Sequence, residues 1–151
     1  MTLSDILSVL FTAMLPVLEI RGALPVALAL DMPVGFAFIL CVFGNMLPIP
    51  FLILLTRKVL NWMKTLKVFR PIAEKIESKG IKRTKGLNQI SFLGLLILVA
   101  IPLPGTGAWT GALVASLLNM RLRDSLPAIL LGVCIAGIIV LTVSLGVIHL
   151  L

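Results

Sequence analysis

Apolar runs free of charge alternate along this chain with short polar interruptions, and the order of the two repeats. Ile6 to Leu18 carries no charge, Glu19 and Arg21 then interrupt, and Gly22 to Leu30 continues the apolar stretch. At about 1.5 Å per residue, Ile6 to Leu18 makes roughly 20 Å of helix against a hydrocarbon core of about 30 Å, so neither piece spans a bilayer alone. Two half-helices joined at the Gly22/Pro25 break can form a re-entrant hairpin that enters and leaves on one side, provided protein shields its tip. One kinked spanning helix from Ile6 to Leu30 is the other reading. The polar turn Asp31-Met32-Pro33 leads into a charge-free run to Thr56, long enough to span with some tilt. Gly44, Asn45, Pro48 and Pro50 within it fit either a kink around a cavity or close helix packing, with Asn45 bonding across helices.

The same order returns in the second half. An apolar run from Gly86 is broken by Ile101 to Gly111 (IPLPGTGAWTG), a shorter run reaches Met120, and after a polar turn a spanning run extends from Ser125 to Leu151. Gly22-Ala23-Leu24 recurs as Gly111-Ala112-Leu113, and Asp31-Met32 as Asn119-Met120. The chain therefore reads as a single membrane domain, 1–151, with one repeat at 3–56, a second at 86–151, and a connecting segment at 57–85. In that connector Val59, Trp62, Leu66, Phe69, Ile72 and Ile76 recur at helical spacing among lysines and arginines, an amphipathic stretch suited to the inner leaflet and its anionic lipid. Pro71 is placed to start a short helix there and Gly80 to end it.

Composition fixes the class. Hydrophobic residues make up 60% of the chain and charged ones 13%, with a mean hydropathy of +1.18, which is the makeup of an integral membrane protein. A net charge of +7 could point to nucleic acid, but ten of the thirteen Lys and Arg residues lie between Arg57 and Lys85, where they read as a cytoplasmic loop instead. No Lys or Arg precedes Arg21, so the basic start of a signal peptide is missing and no cleavage is expected. Cys41 and Cys134 each stand alone in apolar runs and read as buried hydrophobes; no metal or cofactor site is expected. His149 lacks partners, and no nucleophile elbow or P-loop is present, so no catalytic residue and no enzyme activity are expected.

Charge also orders the topology. If both broken segments crossed the membrane, Arg121 and Arg123 would fall opposite the 57–85 loop, which the positive-inside rule disfavours. If both are re-entrant, only Pro33 to Thr56 and Ser125 to Leu151 cross, all these basic residues stay inside and both termini lie outside. One crossing per half inverts the second copy. The expected fold is thus all-α: two inverted repeats, each a re-entrant helical hairpin followed by a transmembrane helix.

Charge inside an apolar run costs about 2.5 to 3.5 kcal/mol per residue on insertion scales, so Glu19 and Arg21 should face a cavity, a partner or a substrate. Arg21 offers a fork of donors suited to phosphate or carboxylate, and Glu19 can hold or pass a proton. With them, Gly22, Pro25, Pro104, Gly105, Thr106, Gly107, Trp109 and Thr110 form the candidate substrate site, with backbone N–H groups after the breaks adding anion affinity. A structural alternative pairs Glu19 with Arg21 internally. The functional alternatives are translocation of an amphipathic anion such as a lipid phosphate, proton-coupled export of hydrophobic cations through Glu19, and a structural subunit whose charges lock a homo-oligomer, a dimer among the options. A guanidinium attracts phosphate and repels a cationic drug, which favours the anion.

The motifs Glu19 to Pro25 (EIRGALP) and Pro102 to Gly111 (PLPGTGAWTG) resemble the small multidrug export protein family of prokaryotic membrane proteins over essentially the whole chain. The plan of hairpin plus helix also resembles the wider DedA (VTT-domain) superfamily. That likeness implies opposed re-entrant hairpins and, for some members, recycling of the lipid carrier undecaprenyl phosphate. DedA proteins place acidic residues on the first hairpin and arginine on the second; here the second break, Leu103 to Gly111, is uncharged and Arg21 shares the first with Glu19.

Overall fold

A computed structural model describes residues 2–65, 71, 88–103 and 105–150, and within these the protein is all-α. The short helix expected between Pro71 and Gly80 lies, except for Pro71 itself, outside the described residues. Helix α1 spans Leu3–Met14, opened by a reciprocal cap in which the Asp5 N–H donates to the Thr2 hydroxyl (3.2 Å) and the Thr2 N–H to the Asp5 carboxylate (2.6 Å). Helix α2 spans Glu19–Ala29, α3 Val34–Met46, α4 Ile49–Thr65, α5 Asn88–Ala100, α6 Ala108–Leu117 and α7 Leu122–Leu150.

The first break falls earlier than the charge pattern suggests. Pro16 has no N–H to continue α1, the chain turns through 15–18, and Glu19 re-enters helix with φ +48, a left-handed conformation that L residues avoid. Glu19 and Arg21 therefore occupy the first turn of α2. Gly22 lies inside the helix, where an added Cβ would sit 2.9 Å from that of Leu18. In the second break the chain leaves α5 after Ala100 and turns at Gly105 (φ +84) and Gly107 (φ +135), both left-handed. Pro48 between α3 and α4 and Pro50 in the first turn of α4 remove two donors, yet the stretch Val34–Trp62 stays helical enough to count as one candidate span, with Leu122–Val147 as the second.

Matching details recur in the two halves. Asp31 and Asn119 both adopt φ +54 after α2 and α6, and in both places the next N–H, of Met32 and Met120, reaches back to Ala27 and Ala115 (3.1 and 3.0 Å) in a left-handed helix stop. Both methionines are buried. In the same register Gly44 corresponds to Gly132. An added Cβ at Gly44 would meet Ala13 and Leu10 of α1, and one at Gly132 would meet Val99 and Leu96 of α5. Packing is reciprocal as well: α2 lies on α7, whereas α6 lies on α4, where the Ser116 hydroxyl is 3.2 Å from the Ile53 carbonyl.

These contacts fix the relative direction of the spans. The first begins beside the Asp31 turn and ends where the Arg57 guanidinium donates to the Met120 carbonyl; the second begins at that turn, packs on α2, and near its end Val143 and Val147 line one groove with Leu28 and Ala29 of α2. The two long helices therefore run antiparallel, the 31–33 and 119–121 turns lie at opposite ends of the molecule, and the tips of the helix pairs meet between them. Arg57 and Arg121 share one end. Val9, Ile20, Leu24, Ile53, Ile129 and Val133 form the buried centre, while Ile39, Phe43, Phe51, Ile138 and Val143 leave the outside of the long helices apolar, as a lipid-facing surface is.

Candidate functional site

Where the tips meet, each charge of the first break binds backbone of the second. The Glu19 side chain is 4% exposed, and its carboxylate accepts the N–H of Trp109 at 3.1 Å and of Ala108 at 3.3 Å. Those are the first two residues of α6, whose own leading residue, Gly107, supplies no side-chain cap. Glu19 thus caps a helix in the other half of the chain, satisfying orphan donors and meeting the positive end of the helix dipole. Gly107 makes room: a Cβ there would overlap the Glu19 carboxylate.

Arg21 does the converse. Its Nη1 donates to the Leu103 carbonyl, and its Nη2 to the Ile101 carbonyl (3.1 Å) and the Thr106 hydroxyl (3.0 Å). The Ile101 and Leu103 carbonyls trail from the C-terminal end of α5, where a cation is favoured. The Thr106 hydroxyl lies 2.7 Å from the first and 2.8 Å from the second, so its proton can serve either. Buried Arg21 Nε has no hydrogen-bond partner. Glu19 is buried and Arg21 only partly so, and these charge-assisted bonds offset part of the cost of taking the carboxylate out of water.

The structural alternative, an internal pairing, is not what forms: no direct ion pair joins Glu19 to Arg21, and each holds the opposite tip. Among the anticipated site residues, Glu19, Arg21, Thr106, Gly107 and Trp109 come together directly. Thr110 bonds back to the Gly105 carbonyl (2.9 Å), closing the turn beneath. The Trp109 indole N–H donates to the Met14 carbonyl at the end of α1 (3.2 Å), so the ring braces both tips. Gly22 lies behind Arg21 against Leu18, and Pro25 is exposed a turn further along α2. Pro104 lies outside the described residues. What sequence reasoning missed is the backbone acceptors, the Ile101, Leu103 and Met14 carbonyls; the N–H groups expected to add anion affinity after the second break are there, at Ala108 and Trp109, but are held by Glu19. Side-chain type carries no signal for the carbonyls.

Asn45 differs from expectation. Its side chain is wholly buried in α3, and neither amide atom has a hydrogen-bond partner. Among the described residues no three His, Cys, Asp or Glu side chains gather as a metal site would require.

A family model described as "putative small multi-drug export protein" matches residues 19–139, which takes in both tips, the first span, the connector and the larger part of the second span. Comparisons with curated proteins and with solved structures find no match.

Proposed function

This chain belongs to the small multi-drug export protein family, and from that premise we propose a membrane transporter whose two re-entrant helix pairs meet at the Glu19/Arg21 junction and there handle an amphipathic anion such as a lipid phosphate. The family is one of export proteins rather than enzymes. In this reading the antiparallel spans cross the bilayer, the α1–α2 and α5–α6 pairs enter from opposite faces, and the halves are inverted copies joined by the cytoplasmic 57–85 segment. Support comes from the opposed 31–33 and 119–121 turns and from Arg57 and Arg121 sharing an end, as the positive-inside rule asks.

One observation carries the anion: two N–H groups at the start of α6, beside a guanidinium, already hold a carboxylate, and that carboxylate belongs to the chain itself. This is an anion seat with an internal occupant. Protonation removes the Glu19 charge and one acceptor oxygen, so its hold on Ala108 and Trp109 weakens. A phosphate can then take the amides and draw Arg21 from its carbonyls in bidentate geometry. Proton uptake and anion binding favour each other by linkage, the logic of symport.

Export of hydrophobic cations is the second reading, favoured by the orientation of Arg21, whose charge is directed at carbonyl oxygens and so repels a cation less. A thermal-shift screen of purified protein against alkyl and polyprenyl phosphates, other anionic lipids and hydrophobic cations separates the two. Stabilisation by phosphates that grows as pH falls supports the anion. A response to cations alone overturns it.

A further inference from the structure

Between the second half of α2 and the end of α7 lies an apolar groove of about 360 Å³, lined by Pro25, Leu28, Ala29, Val143, Ser144 and Val147. Its size falls in the range of small-molecule sites. Arg21, Pro25, Leu28 and Ala29 stand at i, i+4, i+7 and i+8 of one helix, so the groove's α2 wall lies on the helix face that carries the guanidinium, one turn beyond it. Pro25 has no N–H for the Arg21 carbonyl four residues before it, which leaves a polar backbone group where the groove meets the tip. The corresponding face of the other half is closed, since there Ser116 packs directly against Ile53 of α4.

From this continuity we infer that the groove holds the hydrocarbon tail of the amphipathic anion whose headgroup is received at Arg21 and the start of α6. The inference rests on the anion reading above. A single alkyl chain suits a slot with one hydroxyl and otherwise hydrocarbon walls, and each methylene placed there adds affinity in the usual way for buried CH₂ groups. The tip then selects the charge and the groove selects chain length.

The test uses the full chain in nanodiscs, titrated with butyl, octyl and dodecyl phosphate. Affinity is expected to rise at least tenfold from butyl to dodecyl in the wild type. Ser144→Trp, which fills the groove at a distance from the tip, is expected to remove most of that rise while leaving butyl phosphate binding unchanged. A dodecyl phosphate with a photoreactive tail should crosslink to the Leu28 and Val143 region and be displaced by unlabelled dodecyl phosphate. Binding that ignores chain length, or crosslinks spread over the whole lipid-facing surface and not displaced, would mean ordinary bilayer lipid fills the groove and overturns the tail site while the anion site stands. A Ser144→Trp variant that changes oligomeric state but not chain-length preference would assign the groove to a second copy, overturning it likewise. No binding of any alkyl phosphate removes the anion reading and the tail site with it.

Discussion

The Glu19 carboxylate and the Trp109 backbone N–H, 3.1 Å apart, join the two halves of the chain tip to tip. A carboxylate that closes the start of another helix contributes both hydrogen bonds and a favourable meeting with the helix dipole. Glu19→Ala should therefore lower stability by about 2 kcal/mol or more, the scale of hydrogen bonds to a charged group, read as a fall in midpoint of thermal unfolding in detergent. Glu19→Gln keeps one acceptor and should lose roughly half as much. If both substitutions leave the midpoint unchanged, the clamp does not hold the tips.

The same pair of variants tests coupling. Wild-type affinity for alkyl phosphate should rise as pH falls, because the protonated carboxyl releases the amides. Glu19→Gln imitates the protonated state and should bind at high pH about as well as the wild type does at low pH, with a flat profile between. Equally steep profiles in the two proteins would remove Glu19 as the proton carrier and leave it a structural cap.

Arg21 distinguishes charge from shape. Lys keeps the charge but cannot serve the Leu103, Ile101 and Thr106 oxygens at once with a planar fork, so Arg21→Lys should weaken phosphate binding about tenfold and Arg21→Ala should nearly abolish it. Binding by Arg21→Ala at wild-type strength would take the headgroup elsewhere.

The glycines of the second break should respond unequally. Gly105→Ala meets open space and bears only the left-handed backbone, about 1–2 kcal/mol. Gly107→Ala bears more strain, since φ +135 with ψ −167 is a conformation essentially confined to glycine, and also drives a methyl into the Glu19 carboxylate, so it should behave like Glu19→Ala with added destabilisation. Equal thermal midpoints for the two variants would contradict the close approach.

The buried Asn45 amide, without partners, gives a prediction of opposite sign. In the register that pairs Gly44 with Gly132, Asn45 corresponds to buried Val133. Asn45→Val should thus be stabilising by about 1 kcal/mol, as expected when an unsatisfied buried amide is replaced by hydrocarbon. A loss of stability instead would show that the amide has a partner in the membrane-embedded protein.

Much of the fold was legible because hydrophobic run length and Pro/Gly breaks act locally. The two spans, the broken segments and the paired turns at Asp31 and Asn119 all follow from chain-local constraints. The position of the first break was less legible, because a buried left-handed Glu19 is held by contacts with residues far away in sequence. For the same reason the sequence names the side chains of the candidate site and the N–H groups after the breaks but not their pairing: four of the five hydrogen-bond partners of Glu19 and Arg21 are main chain, whose position depends on how the second break turns. The cross-helix bond expected of Asn45 failed differently: residue type showed that the group is polar, and not whether a partner would be near.

Gly107 and Glu19 stand at corresponding positions, each the left-handed residue before or at the start of a half's second short helix, and they face each other so closely that only one can carry a side chain. Two identical halves assembled as a symmetric pair could not build this contact: with glutamate in both the carboxylates would collide, and with glycine in both there would be no anion to seat. A single chain that carries both breaks can place glutamate at one and glycine at the other, and this unequal pair is what the contact at the centre requires.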